Sequence, residues 1–248
     1  MLLEVDGLRY AYGERLAVQG VSFEVAPGEV FGLLGPNGAG KTTTILCLAG
    51  VFRRWEGEIR WEGEPFRPAE RVGDRARLGW VPQELALYEG LSGRENLEFF
   101  GRLQGLRGTA LAEAVDRALG LAGLADRARD RVRSWSGGMK RRLNIAIGDL
   151  HRPGLLLCDE PTVGVDPQSR NHIFDRLQTL KNEGRALLYT THYMEEAQRL
   201  CDRVGIIHEG RIIACGTARE LAAAAGDPDA DLEQVFLHLT GRHLRDEG

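Results

Sequence analysis

The sequence predicts an α/β protein with a parallel sheet, an N-terminal antiparallel β lobe and an inserted α-helical subdomain. Two observations indicate this fold class. In the second half of the chain, short apolar runs alternate with helical patterns, which is typical of a parallel sheet with crossover helices. The strand-like first segment is separated from that half by a helical stretch at about residues 90–151. The core is therefore expected to be divided around a helical insertion.

The first segment combines strands with a single helix. Its predicted strands share alternating or continuous apolar residues: residues 2–10, Val21 with Phe23 and Val25, Val30–Leu34, and residues 58–61. Residues 35–40 interrupt this pattern as a glycine-rich loop, and residues 42–49 predict the helix. An antiparallel lobe is therefore expected beside a strand, loop and helix unit.

The remainder of the chain alternates between helices and strands. The predicted helices are residues 95–103, with Ser92 as a candidate N-cap, and residues 110–121, 167–183, 194–201 and 232–239. The predicted strands are Leu155–Asp159 and residues 186–190, 204–208 and 211–215, with a hairpin turn at Glu209 and Gly210. We expect one domain over residues 1–220 and a short helical extension over residues 221–248.

Composition excludes several classes of protein. Hydrophobic residues make up 43% and charged residues 27% of the chain, which is ordinary globular usage and argues against a disordered or coiled-coil protein. No apolar run approaches the roughly 20 residues that span a bilayer, so we expect contact with a membrane only through a partner. The first residues do not resemble a signal peptide, and a cytoplasmic location is predicted.

Charge argues against a nucleic-acid partner. The 32 basic and 36 acidic residues leave a net charge of −4. The longest basic run is Lys140-Arg141-Arg142, which we interpret as a solvated helix face. Four cysteines without a Cys-x-x-Cys pair predict reduced thiols with packing roles: Cys47, Cys158, Cys201 and Cys215.

A phosphate-binding pattern lies between a predicted strand and a predicted helix. The loop and its continuation consist of Gly35, Pro36, Asn37, Gly38, Ala39, Gly40, Lys41, Thr42 and Thr43. Glycines let backbone N–H groups converge on phosphates, Lys41 reaches the β- and γ-phosphates, and the Thr42 hydroxyl can ligate Mg²⁺. The alternative, a chance glycine-rich turn, is disfavoured because the match is long and correctly placed.

Two acids end the apolar strand Leu155–Asp159. A buried strand does not tolerate Asp159 and Glu160 without a cation or a catalytic use. Asp159 can hold Mg²⁺ through water, and Glu160, whose side chain points elsewhere, could take a proton from an attacking water as general base. The alternative is a strand that simply ends at the surface.

Six short motifs follow one another along nearly the whole chain: residues 35–43, Val81-Pro82-Gln83, Ser136-Gly137-Gly138-Met139, residues 155–161, Gly164-Val165-Asp166 and Thr191-His192. Together they resemble the ATP-binding subunit of an ABC transporter. Residues 87–97, 193–197 and 235–241 are similar to its daunorubicin and multidrug-resistance exporter branch. The resemblance implies a P-loop ATPase, either a homodimer or paired with a related ABC subunit, that sandwiches ATP head to tail and drives a separate transmembrane permease.

The resemblance identifies Ser136, Gly137 and Gly138 as the signature motif, which binds the γ-phosphate held by a second copy of the protein. A small hydroxyl and two glycines before a helix also form an anion site physically. Taken alone, the same three residues are more often an ordinary helix cap. Trp135 and Met139 stand where the family commonly has leucine and glutamine, so we expect altered packing at the dimer seam.

Four further roles are implied by the resemblance. Gln83 matches the loop glutamine that contacts Mg²⁺ and the attacking water, and His192 matches the histidine that contacts the γ-phosphate and helps to orient that water. Asp166 matches the loop that crosses to the other protomer, although Asp-Pro is also a common helix start. Tyr12 matches the aromatic residue that stacks on adenine, with Tyr10 as its rival.

Two alternatives to a transport motor stay open. Non-transport ABC ATPases that act on DNA or the ribosome usually carry tandem cassettes or long insertions, and this sequence has one copy of each motif. A P-loop switch would leave the signature motif unexplained. The permease is expected to dock near the Gln83 loop, where Leu85, Leu87 and Tyr88 are unusually apolar, unless these side chains pack inside the helical lobe.

Overall fold

The computed structural model describes residues 1–241. Its strands are β1 (Leu3–Tyr12), β2 (Arg15–Val25), β3 (Val30–Leu34), β4 (Glu56–Trp61), β5 (Glu64–Pro65), β6 (Leu78–Val81), β7 (Leu155–Asp159), β8 (Ala186–Thr191), β9 (Arg203–His208) and β10 (Arg211–Gly216). Its α-helices are α1 (Lys41–Leu48), α2 (Val72–Arg75), α3 (Gly93–Leu103), α4 (Gly108–Leu121), α5 (Gly137–Gly148), α6 (Pro167–Asn182), α7 (Met194–Leu200), α8 (Ala218–Ala224) and α9 (Leu232–Thr240). Short 3₁₀ helices lie at Ala125–Arg127 and Val132–Ser134.

The main sheet has six strands in the order β10-β9-β3-β8-β7-β6. All neighbours are parallel except the hairpin partners β9 and β10. Every residue of β3, β7 and β8 is buried, which explains why these strands are continuous apolar runs rather than alternating ones. The parallel sheet and the hairpin that the sequence predicts are confirmed.

The register of this sheet brings four chain segments to one edge. Leu34 at the end of β3 pairs with Thr191, and Asp159 at the end of β7 pairs with Thr190. Val81 at the end of β6 pairs with Cys158. The segments that follow these strands therefore start side by side, at the edge where open α/β sheets bind their ligands.

A smaller antiparallel sheet with the order β2-β1-β4-β5 forms the N-terminal lobe. Its inner face shares one hydrophobic cluster with α1 and the main sheet, and Phe23 stacks on Phe31 of β3 with ring centroids 5.1 Å apart. This packing fixes α1, and with it the loop at residues 35–40, between the two sheets. The predicted antiparallel lobe is confirmed.

Helices α3, α4 and α5 pack around a hydrophobic cluster of their own. Ser92 begins α3 with a capping box, in which its hydroxyl accepts a bond from the Glu95 N–H and the Glu95 carboxylate accepts one from the Ser92 N–H. Trp135 is buried in this cluster, so its ring packs inside its own chain, and the expectation of altered packing at a dimer seam stays a prediction.

The last helices pack on the main sheet. Leu221 of α8 and Phe236 of α9 belong to the same cluster as Ile206 of β9. Helix α8 spans residue 220, where the sequence analysis places a boundary, so the separate extension stays a prediction, and its residues 242–248 lie outside the described part. No helix within residues 1–241 is long and apolar enough to cross a membrane.

Two expectations were wrong at the level of side chains. The run Lys140-Arg141-Arg142 is not a solvated face, because Arg141 is buried and Arg142 donates to the backbone oxygen of Ala122. All four cysteines are free, but Cys215 is exposed on β10, where its Sγ accepts from Arg203, and is not a core packing residue like the buried Cys47 and Cys158. The apolar periodicity that predicts strands and helices does not predict the exposure of an individual arginine or cysteine.

Candidate active site

A cavity of about 680 Å³ lies over the carboxyl edge of the main sheet. It is lined by the residues Tyr12, Arg15, Leu16, Ala17, Gln19, Asn37, Gly38, Gly40, Lys41, Thr42, Thr43, Gln83, Glu160, Glu209 and Gly210. These come from both sheets, the predicted phosphate loop and the start of α1. The cavity therefore unites the N-terminal lobe with the phosphate loop and with the residues after β6 and β7.

The phosphate loop wraps around the lysine that follows it. Lys41 Nζ donates to the backbone oxygens of Gly35 at 2.8 Å and Pro36 at 2.9 Å. Gly40 takes a left-handed φ of 106°, and a Cβ there would lie 2.6 Å from the backbone oxygen of Ala17, so only glycine fits. The first N–H groups of α1 have no partner within the helix, which makes this helix start a suitable phosphate site.

Lys41 and Glu160 form a buried ion pair. Lys41 Nζ lies 3.1 Å from Glu160 Oε1, with side chains 4% and 5% exposed. Burial lowers the pKa of Lys41 from its ordinary value, and the Glu160 carboxylate opposes this shift. Additional negative charge near Lys41, such as a phosphate, would therefore stabilise its ammonium form.

Glu160 also contacts the histidine that follows β8. Its Oε2 lies 3.1 Å from Nδ1 of His192, whose side chain is 25% exposed. Glu160 has a left-handed φ of 44°, which costs a non-glycine residue about 1–3 kcal/mol, and its N–H donates to Thr190 Oγ1 at 3.0 Å. This turn directs Glu160 away from the partners of Asp159.

Asp159 has hydroxyl partners instead. Its Oδ1 accepts from Thr190 Oγ1 at 2.7 Å and from Thr42 Oγ1 at 3.2 Å. Burial raises the pKa of Asp159, while these two hydrogen bonds oppose the shift. A hydroxyl and a carboxylate side by side beside a phosphate loop are the oxygen ligands that Mg²⁺ prefers, so Thr42 and Asp159 fit this ion.

Gln83 follows β6 and lines the same cavity, as the sequence predicts. Its backbone is held by α5: Arg141 donates to the backbone oxygens of Gln83 and Val163, the latter at 3.1 Å, and Asn144 donates to that of Pro82 at 3.2 Å. The loop of Gln83 is thus attached to the helix that begins at the predicted signature motif.

The two candidate aromatic residues are in different environments. Tyr12 is 49% exposed, lines the cavity and places its hydroxyl 3.4 Å from Thr43 Oγ1. Tyr10 stacks on Phe52 with ring centroids 4.2 Å apart, and its edge contacts Tyr12. Because Tyr12 lines the cavity and is half exposed, whereas one face of Tyr10 is covered by Phe52, the geometry favours Tyr12 over Tyr10 as a platform for a base.

The predicted signature residues and Asp166 lie outside this cavity. Ser136 is the N-cap of α5, accepting from the Met139 N–H at 3.3 Å, and both Ser136 and Gly137 are exposed. Gly138 is buried. Asp166 is the N-cap of α6, accepting from the Ser169 N–H at 2.9 Å. The structure therefore brings Lys41, Thr42, Asp159, Glu160, His192 and Gln83 together, but not these four residues.

Three residues that hold this site together belong to none of the predicted motifs. Thr190 contacts both acids, and Arg141 and Asn144 hold the loop of Gln83. The available signal was helical spacing, because Arg141 and Asn144 are three residues apart and lie on one face of α5. For Thr190 the signal was a hydroxyl inside an otherwise apolar strand.

Comparisons with known proteins agree with this geometry. Residues 18–163 match the family model described as ABC transporter. The chain is 48% identical to the Nod factor export ATP-binding protein I of Paraburkholderia xenovorans, over 94% of this chain and 76% of that protein. It is 43% identical to the daunorubicin resistance ATP-binding protein DrrA3 of Streptomyces coeruleorubidus, over 93% and 72%. A solved ATP-binding subunit of an ABC transporter matches with a TM-score of 0.86 at 32% identity, covering 97% of this chain and all of that one.

Proposed function

Because this chain belongs to the ABC transporter family and is an ATP-binding ATPase, we propose that it is the motor subunit of an exporter. Two protomers, identical or related, would sandwich two ATP molecules head to tail and couple hydrolysis to a separate permease. Export is supported by the similarity to proteins named for Nod factor export and daunorubicin resistance. The same names favour transport over an ATPase that acts on DNA or the ribosome.

One observation carries the dimer proposal. Lys41 and Glu160 line the cavity, whereas Ser136 lies outside it and is exposed. If the signature motif binds phosphate, the nucleotide that it contacts must therefore be bound in the cavity of another chain. A two-fold arrangement in which each protomer completes the site of the other meets this requirement.

Catalysis in such a site is positioning combined with charge neutralisation. The N–H groups of the phosphate loop and Lys41 would bind the phosphates, and Tyr12 would stack on adenine. Glu160 would accept a proton from the attacking water, which His192 helps to orient. Thr42, Asp159 and Gln83 would hold Mg²⁺, which neutralises charge on the phosphate oxygens when bound. The signature residues and Asp166 of the second protomer would complete the site.

The ion pair between Lys41 and Glu160 suggests how binding prepares this chemistry. The Lys41 ammonium is engaged by Glu160 and two backbone oxygens. Phosphate oxygens would compete with the Glu160 carboxylate for the ammonium, which releases Glu160 Oε1 while His192 still contacts Oε2. The base would then be available only after ATP has bound.

We propose a groove beside the Gln83 loop as the docking surface of the permease. This groove of about 460 Å³ is lined mainly by apolar side chains, among them Val72, Phe100 and Leu103, and by Pro82. Val72 and Leu103 are 71% and 69% exposed. Since the Pro82 oxygen is bonded to α5, a partner helix in the groove would act on the Gln83 loop directly.

Leu85, Leu87 and Tyr88, which were expected either to dock the permease or to pack inside the helical lobe, differ in their environments. Leu87 packs on the hydrophobic cluster of α3, α4 and α5, whereas Tyr88 is 49% exposed although its ring meets that of Phe99 edge to face. Leu85 is 38% exposed. The docking proposal therefore rests on Val72 and Leu103 more than on Leu87.

Purification of this chain from membranes of its native host tests the motor proposal. We expect a membrane subunit with several transmembrane spans to copurify, with this chain bound at its cytoplasmic face. The complex should have a higher ATPase activity than the isolated chain. A Leu103→Glu chain provides the matched control and should lose the membrane subunit. Recovery of ribosomes or DNA instead of a membrane protein would overturn the proposal.

A further inference from the structure

Glu196 on α7 is a buried carboxylate surrounded by hydroxyl donors. It is 3% exposed. Its Oε2 accepts from Thr162 Oγ1 at 2.8 Å, from the Tyr189 hydroxyl at 2.8 Å and from Thr191 Oγ1 at 3.0 Å. The Thr162 hydroxyl also lies 2.8 Å from Oε1, and Arg170 Nε lies 3.6 Å from the same oxygen. We refer to these four partners with Glu196 as the Glu196 network.

The Glu196 network joins the two segments that carry the proposed reactive side chains. Thr162 lies two residues after Glu160, and Thr191 directly precedes His192. Thr191 Oγ1 donates to Glu196 and accepts from the Tyr193 N–H at 3.0 Å, so it fixes the backbone on both sides of His192. One carboxylate on α7 therefore fixes the position of the turn after β7 relative to the turn after β8.

We propose that Glu196 is a positioning residue for ATP hydrolysis, holding the turns that keep Glu160 and His192 in contact. This inference rests on the proposed roles of those two residues. Glu196 does not line the cavity, so it acts through them and not on the nucleotide. Misplacement of a reacting group by about 1 Å can cost roughly 10²-fold in rate. Loss of the network removes the hydrogen bonds by which Thr162 and Thr191 tie the two turns to α7.

The capacity of Glu196 to accept several hydrogen bonds suits this role. Burial and, second, the Glu196 carboxylate raise the pKa of Tyr189 well above its ordinary value, so Tyr189 remains a hydrogen-bond donor. Three hydroxyls converge on one oxygen, and a carboxylate can accept all of them at once. Arg170 of α6 adds a positive charge at the other oxygen. An alanine would remove the acceptor that the three hydroxyls share and the negative charge beside Arg170.

Three substitutions and a matched control separate positioning from folding. Glu196→Ala removes the acceptor, and Glu196→Gln keeps an amide oxygen that can still accept from the hydroxyls. Glu195→Ala changes the neighbouring residue of the same helix, whose side chain is exposed. Because Glu196→Ala could unfold the chain, Thr191→Val offers a milder break that removes only the two bonds of the Thr191 hydroxyl, to Glu196 and from the Tyr193 N–H.

The expected result is a loss in kcat with little change in binding. Glu196→Ala should lower the kcat of the purified full chain about 10- to 100-fold, and Thr191→Val about 3- to 10-fold. The Kd for a non-hydrolysable ATP analogue should change less than about twofold. Glu196→Gln should recover most of the lost rate, and Glu195→Ala should match the unsubstituted chain in rate and Tm. A parallel loss of kcat and analogue binding would overturn the inference.

A double-substitution cycle tests whether Glu196 acts through His192. In a His192→Ala background, Glu196→Ala or Thr191→Val should cost less than about twofold, because the pair they position is already broken. An equal loss in both backgrounds would show a general structural role and overturn the inference. If Glu160→Gln and His192→Ala alone keep full activity, the proposed site roles fail, which is distinguishable from a failure of the Glu196 variants only.

Discussion

Glu160 Oε1 lies 3.1 Å from Lys41 Nζ in a pair whose side chains are almost completely buried. A buried ion pair is held by its partners, and removing one leaves the other charge uncompensated. Lys41 has two backbone acceptors besides Glu160, and Glu160 has His192 besides Lys41. Each residue can therefore exchange the other for a new partner without becoming isolated, as binding of a phosphate requires.

Glu160→Gln should bind ATP but hydrolyse it at least about 10²-fold more slowly, which is the scale of a lost general base. The amide keeps the shape of the side chain and can still contact Lys41 and His192. Because ATP then persists, we expect a stable dimer in size-exclusion chromatography with ATP and Mg²⁺. ATPase assays measure the rate in parallel.

A matched control is Glu64→Gln, which changes an exposed carboxylate on β5. It should keep the rate of the unsubstituted chain and elute as that chain does. If Glu160→Gln turned over normally, Glu160 would not be the base.

Tyr12→Ala should weaken ATP binding, because a base stacked on an aromatic face contributes about 1–3 kcal/mol, or roughly 5- to 150-fold in Kd. Tyr12→Phe keeps the ring and should retain most of the affinity. Titration with a fluorescent ATP analogue gives both values. If Tyr10→Ala weakened binding and Tyr12→Ala did not, the stacking residue would be Tyr10.

Most of the fold is encoded in local patterns. The strands β3, β7 and β8 are continuous apolar runs, so their burial on both faces was predictable, and the loop between β3 and α1 carries its own phosphate-binding signature. Short elements were missed: β6 has four residues and α2 has four, too few to show a period. Helix α8 is alanine-rich and also lacks a clear apolar face.

The side-chain network of the site could not be predicted in the same way. Glu160 contacts Lys41 and His192 only because the register of the main sheet places β7 and β8 side by side, with β3 on the other side of β8. Arg141 is part of a basic run, which favoured solvent exposure, yet its guanidinium donates to two backbone oxygens inside the protein. Residue type predicts average exposure, whereas tertiary contacts decide individual cases.

Leu103→Glu should abolish transport and leave the basal ATPase activity and Tm of the isolated chain unchanged, because this side chain is 69% exposed beside the proposed docking groove. Leu87→Glu should instead lower Tm, since Leu87 packs on the helical cluster. Transport assays in cells and thermal melts of the purified chains distinguish the two. Normal transport with Leu103→Glu would exclude this groove as the docking surface.

The stability of the chain should depend on the protonation of His151. Its Nε2 lies 3.0 Å from the backbone oxygen of Leu78, and burial lowers its pKa, with nearby Asp149 and Arg185 acting in opposite directions. The unfolded chain, with an ordinary histidine pKa of about 6.5, then binds the proton more readily than the folded chain. The free energy of unfolding should therefore fall as the pH drops below about 6.5, until the lower folded pKa is passed.

Urea denaturation between about pH 8 and pH 5 measures this effect when the chain is compared with His151→Gln. The variant lacks the titrating group, so its free energy of unfolding should fall less steeply over the same range. Other groups titrate in both proteins and cancel in the comparison. Parallel pH profiles would show that His151 makes no contribution.

Mixed dimers should recover activity that neither parent has. Ser136→Arg removes the signature from both sites of its homodimer, and Glu160→Ala removes the base from both, so each variant alone should be nearly inactive. A heterodimer pairs the intact Glu160 of one chain with the intact Ser136 of the other, which restores one of its two sites. With statistical mixing about half of the dimers are heterodimers, and activity should approach roughly a quarter of the unsubstituted value if the sites act independently.

ATPase assays on equimolar mixtures measure this recovery, and a mixture of Glu160→Ala with Glu160→Gln is the matched control that should stay inactive, because every site lacks the base. Absence of recovery in confirmed heterodimers has two explanations: both sites must work together, or Ser136 serves its own chain. Crosslinking separates them in a Cys215→Ser background, since Cys215 is exposed. A disulfide between Ser136→Cys of one chain and Asn37→Cys of another shows the head-to-tail arrangement, whereas crosslinks confined to single chains would refute it.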